Sequence, residues 1–345
     1  MVADLHAMTM PYDPALLPHR CRVQAASIMA CGVSEEKSAI FRQSAIREHT
    51  ELNWALGAIT PLPWLQRMTQ FKDKSRAVKG SRKGTGGAAP MLKRSSEAGL
   101  GLLAYPVLQA ADILVYQATA VPVGDDQRQH LELTRDVALA FNSLFCGGSG
   151  AATGSGPSGF SLTVPEPIYP PGNTARIMSL RDGRKKMSKS DPSPMSRIDI
   201  TDSPDTVRAK LRRAKTDALP GLVYDKETRP ERTNLLDIFS GVTGRPVADL
   251  VGEFESRDSL QFKEALAEAV VAYLSPMQAA MRELLGVEDL EALATGLREG
   301  DAAAVSGLLT DTAKIDGVLE RGEEFARERA QSTMESVRAV LGLAR

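Results

Sequence analysis

Leu102-Leu103-Ala104-Tyr105-Pro106-Val107-Leu108-Gln109-Ala110-Ala111-Asp112-Ile113-Leu114 leads, a short step later, into Val121-Pro122-Val123-Gly124-Asp125-Asp126-Gln127. The first run is apolar with helical repetition over 99–116, which sets Tyr105, Gln109 and Asp112 on successive turns of one helix face. The second reads as a buried strand over 119–123, a glycine turn, and a helix from Gln127 to Phe145. Leu131, Thr134, Val137, Ala138 and Phe141 share one side of that helix. Helix, strand, glycine turn and helix in this order mark an α/β fold, and they aim backbone N–H groups into a crevice at the strand's carboxyl end. On spacing alone, Asp112 is either a binding carboxylate or an acid capping another group. Asp125 and Asp126 are either ligand contacts or an ordinary helix N-terminal cap.

Toward the N-terminus, Pro14 and Ala15 open a helix running to about Cys31, with Gly32 as its stop. Met1 to His6 reads as the tail of a short strand ending at a polar site. Ala39–Phe41 is a strand candidate, and His49–Ile59 has helical spacing. Trp54, Ile59, Leu62, Trp64 and Leu65 crowd both tryptophans together, as core packing or as a subunit interface. Between Lys72 and Arg94 eight basic residues face one acid, Asp73, around a GTGG at 84–87. That composition reads as a mobile loop, either simply solvated or touching RNA phosphates. The Gly-rich stretch 146–159 is a second loop by composition.

Toward the C-terminus, 176–180 (RIMSL) is strand-like and leads into a loop, Arg181-Asp182-Gly183-Arg184-Lys185-Lys186-Met187-Ser188-Lys189-Ser190-Asp191. Lysines three apart among small polar residues can fold round a polyphosphate, and Gly183 would permit hinging. Beyond Ser203 the pattern is helical. One apolar stripe runs through Phe262, Ala265, Leu266, Ala269, Val270, Tyr273 and Leu274, and another through Ala326, Ala330, Thr333, Val337 and Leu341.

At 345 residues the chain suggests two domains, at about 150 residues each. Its 42 basic and 43 acidic residues leave a formal charge of −1, so no global polycation is available for DNA and any nucleic-acid contact must be local. No apolar run reaches the roughly 18–20 residues of a membrane span. Three cysteines, Cys21, Cys31 and Cys146, show no C-x2-C pairing and read as small buried hydrophobes, with neither disulfide framework nor metal knuckle.

Four segments carry a family resemblance. Lys186-Met187-Ser188-Lys189-Ser190 is the signature loop of class I aminoacyl-tRNA synthetases. LLAYPVLQAADIL, the run from Asp125 to Asp136 (DDQRQHLELTRD) and ARIMSL (175–180) agree with it, and together they resemble the tryptophan-specific members of bacteria and organelles. The resemblance covers nearly the whole chain. It implies a Rossmann-type parallel sheet in a catalytic domain over 1–202, with a basic insertion at 75–98. An all-α anticodon-binding domain would span 203–345, its last helix packing back on the first.

The reaction implied is two-step: tryptophan attacks the α-phosphate of Mg-ATP, giving an adenylate and pyrophosphate, and tRNA(Trp) then takes the acyl group. By resemblance Asp112 accepts the indole N–H. Tyr105, Gln109, Val121 and Val123 line the amino-acid pocket, and His6 and Gln43 approach it. Gly124, Asp125, Asp126 and Ile177 contact ATP, with Met187, Ser188 and Ser190 in the mobile loop and Lys186 and Lys189 on the phosphates. No resident metal is implied, as Mg2+ travels with ATP. A homodimer in bacterial cytoplasm, plastid or mitochondrion is expected.

Three departures stand beside the resemblance. The family's first strand and its HIGH-like His-x-Gly-Asn segment have no counterpart here, so a first strand is expected to be missing and a non-catalytic tRNA-binding descendant is the alternative. The insertion at 75–98 is longer than the family linker. Tyr105, Gln109 and Asp112 also satisfy the Tyr-x3-Gln-x2-Asp pattern of the tyrosine enzymes, which makes tyrosine the nearest rival substrate.

Overall fold

The computed structural model describes residues 1–68, 99–124, 127–147, 159–169, 176–189, 191–219 and 221–343. Asp125, Asp126, Ser190, the basic insertion and most of the Gly-rich stretch lie outside the described residues. In chain order the helices begin with α1 (Asp4–Ala7), α2 (Leu17–Ala30), α3 (Glu48–Ile59), α4 (Leu62–Gln66), α5 (Leu100–Leu114) and α6 (Arg128–Phe145). They continue with α7 (Pro204–Arg212), α8 (Pro230–Thr243), α9 (Val247–Phe254), α10 (Ser259–Leu285), α11 (Leu290–Glu299), α12 (Ala302–Leu308) and α13 (Ala313–Val340). The strands are β1 (Ala120–Pro122) and β2 (Glu166–Ile168).

β1 and β2 pair in parallel, Val121 opposite Pro167, with α6 in the connection between them, as a parallel pair requires a crossover. A second parallel bridge joins Val2 to Arg42: the Val2 amide donates to the Phe41 carbonyl at 2.7 Å and Gln43 donates back to Val2 at 2.9 Å. The fold is therefore α/β with parallel pairing and a large helical share. The strand segments are shorter than the sequence suggested. The 176–180 candidate is realised as a single bridge at Met178, the 39–41 candidate only as a bridge at the next residue, Arg42, and Asp4–Ala7 is a helical turn rather than the continuation of a strand. β1 is not buried: Ala120 and Pro122 are exposed, and only Val123 just beyond it is buried.

The chain forms two compact units. One comprises Met1–Leu17, Glu35–Tyr169 and Gly317–Arg345, and the other Pro18–Ser34 and Pro170–Asp316. The division falls at Tyr169 rather than at Ser203, because Leu180 and Ile198 pack into the same core as Val207 of α7 and Leu235 of α8. In the first unit, α3, α5 and α6 bury Leu52, Leu56, Val107, Ala111, Leu114, Val137 and Phe141 against one another. Ala326, Ala330, Met334 and Val337 of α13 enter the same core. Arg338 of α13 holds Glu51 of α3 through two nitrogens at 2.7 and 2.6 Å. Gly322 lets the helix backbone lie directly on Ile40, where a Cβ would overlap the Ile40 carbonyl. Cys21 and Cys146 are buried as expected, whereas Cys31 is exposed, one residue beyond the end of α2. Among the described residues no helix is long and apolar enough to cross a membrane.

Candidate active site

α5 carries the chemistry because its apolar residues bury one side and commit three polar ones to a shared face. Leu102, Val107, Ala111 and Leu114 are in the core, and Tyr105, Gln109 and Asp112 each meet a polar partner from another element. Asp112 is the centre. Its Oδ1 lies 2.7 Å from Gln43 Nε2 and 2.6 Å from His49 Nδ1. Its Oδ2 lies 2.9 Å from the same Gln43 nitrogen and 2.7 Å from His6 Nε2. Those contacts fill the roughly four acceptor positions a carboxylate offers.

The donors arrive by design of the local chain. The Val2–Arg42 bridge brings α1 beside the turn at 43–45, where Leu5 donates to Gln43 Oε1 at 3.2 Å and so orients the amide nitrogen toward Asp112. Asp4 locks the same junction by accepting from the Ser44 amide at 2.9 Å and from its hydroxyl. Gln43 and His49 are fully buried, whereas the His6 side chain keeps 20% exposure. Burial pushes the Asp112 carboxyl up, but hydrogen bonds and charge from His49 and His6 outweigh it and hold it below the ordinary value. It is ionised at neutral pH.

Around it, Tyr105 Oη meets His130 Nε2 at 3.0 Å, and His130 Nδ1 meets Gln127 Oε1 at 3.0 Å. Gln109 donates to the same Gln127 oxygen at 3.3 Å. Burial raises the Tyr105 phenol to about 12, so it remains an O–H donor. Val123 donates its amide to Ile168 at 3.0 Å, and Gly124 closes the turn by accepting from Gln127 at 2.9 Å. Val121 is half-buried beside it. His49, Tyr116, Gln127 and His130 join the site without having been singled out as site residues. Tyr116 was findable, since it follows Asp112 at i+4, and His130 follows Gln127 at i+3.

In the second unit the lysine-bearing segment is a tight hairpin. Met178 and Lys186 form an antiparallel bridge, Met187 donates to Ile177 at 3.0 Å and Ser179 to Lys185 at 2.8 Å. Asn234 of α8 clamps the hairpin as a strand would, accepting from the Met178 amide at 2.8 Å and donating to its carbonyl at 2.9 Å. Gly183 is required for close approach and not for hinging, since a Cβ would lie 2.6 Å from the Glu231 nitrogen. Lys186, Ser188 and Lys189 are exposed. Met187 and Ile177 turn instead into an apolar pocket of about 370 Å3 with Ile198, Ile238 and Tyr273. The hairpin thus offers cations to solvent from an apolar anchor. Among the described residues no group of three or more His, Cys, Asp or Glu side chains could hold a metal ion.

The profile of the family described as "tRNA synthetases class I (W and Y)" matches residues 1–275. A Caulobacter vibrioides protein named tryptophan–tRNA ligase is 43% identical over 343 residues, which cover 99% of this chain and 85% of that protein. The crystal structure of tryptophanyl-tRNA synthetase from Mycoplasma pneumoniae superposes with a TM-score of 0.77 at 29% identity, covering 99% of this chain and 87% of that one. A Campylobacter jejuni tryptophanyl-tRNA synthetase, solved with ADP and tryptophan, gives 0.69 at 28% identity, covering 99% and 88%.

Proposed function

The chain belongs to the class I tRNA synthetases of the tryptophan and tyrosine type, and from that premise we propose that it is a tryptophan–tRNA ligase. It joins L-tryptophan to tRNA(Trp) at the expense of ATP. A tryptophan carboxylate oxygen attacks the α-phosphorus of Mg-ATP, the bond to the bridging oxygen breaks, and pyrophosphate leaves. A tRNA hydroxyl then displaces AMP from the adenylate.

The observation that carries this reading is the ionised, buried Asp112 carboxylate on the face that also presents Tyr105 and Gln109. Once a ligand displaces one of its protein donors, an acceptor of that kind selects a side chain with an N–H, because a ligand without one leaves a buried charge underpaired. His6 is the most exposed of the three groups that contact Asp112, so the indole N–H takes its place at Oδ2. Val121 and Val123 supply apolar walls, and Tyr105 and Gln109 face the amino-acid backbone. Gly124, Asp125 and Asp126 serve the nucleotide, as does Ile177. Lys186 and Lys189 stabilise the phosphate oxygens as they gain charge, with Met187, Ser188 and Ser190 shaping the loop.

The helical part from Ser203 to Asp316, short of the return of α13 to the unit that holds Asp112, is assigned the anticodon. A homodimer fits Trp54, 82% exposed on α3, together with Leu62 at 54%. The ligase would work wherever tRNA is charged, in bacterial cytoplasm, plastid or mitochondrion. Charging of tRNA(Trp) with labelled tryptophan by the intact chain tests the reading. Incorporation of tryptophan and not of tyrosine is expected, and preferential charging of tRNA(Tyr) with tyrosine would reverse the substrate assignment.

A further inference from the structure

We propose that His49, backed by Tyr116, is a positioning residue that fixes which Asp112 oxygen is offered to the substrate and so sets the preference for a side chain bearing an N–H. The inference rests on the tryptophan reading of the pocket and adds to it a determinant that never touches the ligand.

His49 is fully buried at the second position of α3, far along the chain from α5, and its ring uses both nitrogens. Nδ1 lies 2.6 Å from Asp112 Oδ1 and Nε2 lies 2.7 Å from the Tyr116 hydroxyl. Phe41, His49 and Tyr116 pack as a three-ring cluster, tilted with centroids 5.3 Å apart for His49–Tyr116 and edge-on at 5.5 Å for Phe41–Tyr116. That packing and full burial restrain the imidazole. The Tyr116 phenol is pushed up by burial and by the charges of Asp112 and Glu48, so it keeps its proton. The ionised Asp112 can only accept, so the proton on Nδ1 is aimed at Oδ1, and in the neutral ring Nε2 is left to accept from the Tyr116 hydroxyl. A hydrogen bond on one nitrogen thereby dictates what the other can do, as it does for metal-bound histidines.

The consequence is asymmetric. Oδ1 is held by two fully buried groups, His49 and Gln43. Oδ2 has the longer Gln43 contact and the partly exposed His6. The carboxylate therefore cannot rotate about its Cβ–Cγ bond without breaking the His49 bond, and Oδ2 stays on the accessible edge. Truncating His49 would free that rotation and leave Oδ1 short of a donor inside the core.

The test is equilibrium binding by calorimetry of tryptophan and of the isostere in which sulfur replaces the indole N–H, on the intact chain. The readout is the ratio of the two dissociation constants, which a general loss of stability does not change. His49→Leu is expected to shrink the ratio by about tenfold or more. Tyr116→Phe keeps the ring packing but removes the donor to Nε2, and is expected to shrink it by about threefold. His49→Asn, whose amide nitrogen can stand where Nδ1 stands, is expected to restore most of it. If His49→Leu does not fold, Tyr116→Phe decides. An unchanged ratio in a chain that binds tryptophan would overturn the inference alone. Failure of the unsubstituted chain to bind tryptophan would overturn the pocket reading and the inference with it.

Discussion

Asp112 is a negative charge that this fold keeps in its interior, and its energetics set the expected pH behaviour. Its hydrogen bonds hold the folded-state pKa below the unfolded value of about 3.9. The stability this contributes is fully present above the unfolded value and is lost as pH falls through the folded one. Asp112→Asn should therefore be less stable than the parent near neutral pH, with the gap narrowing below about pH 4. Chemical denaturation over a pH series measures this, and a gap that stays constant into acid would contradict the assignment. The sequence displayed Asp112 well, because helix periodicity places Tyr105, Gln109 and Asp112 on one face by local arithmetic. It did not display His49. That contact joins residues 63 positions apart, and nothing in helical spacing encodes a partner on another element.

At the scale of elements, the lysine-bearing hairpin of the second unit is a short structure held from outside. The hairpin around Met187 has a single bridge of its own and owes its shape to Asn234 and to the close seat of Gly183 on Pro230 and Glu231. Gly183→Ala should force the hairpin off α8. Steady-state kinetics should then show a fall in the rate of adenylate formation with tryptophan affinity unchanged. Lys189→Ala should do the same more simply, by about 10²-fold or more in rate, as for loss of an oxyanion donor. A weakened tryptophan affinity with an intact rate in either variant would remove the hairpin from the chemistry. Helices α3, α5 and α6 were readable to within a residue or two because their patterns are local. Of the strand candidates, 119–123 is met by β1, whereas 39–41 and 176–180 form no ladder, since ladder length depends on where a partner runs and not on the strand's own alternation.

For the whole molecule, the second half does not simply follow the first. From Gly317 onward the chain belongs to the unit that holds Asp112, and Gly322 makes that return possible by letting α13 rest on the Ile40 backbone. Gly322→Ala should cost about 1–3 kcal/mol through overpacking, seen as a lowered Tm, and an unchanged Tm would show that the seat is not tight. The apolar stripe on the last helix was legible, but its expected return to the first domain came from the family resemblance and not from the stripe, because amphipathicity states that a face is covered without saying by what. The central claim is that this chain activates tryptophan through the Asp112 pocket. Amino-acid-dependent exchange of pyrophosphate into ATP tests it most directly, run on the intact chain and on Asp112→Asn. The expected result is exchange with tryptophan, little with tyrosine or phenylalanine, and a loss of about 10²-fold or more in the variant. Exchange that is indifferent to the amino acid supplied, or undiminished by the substitution, would contradict it.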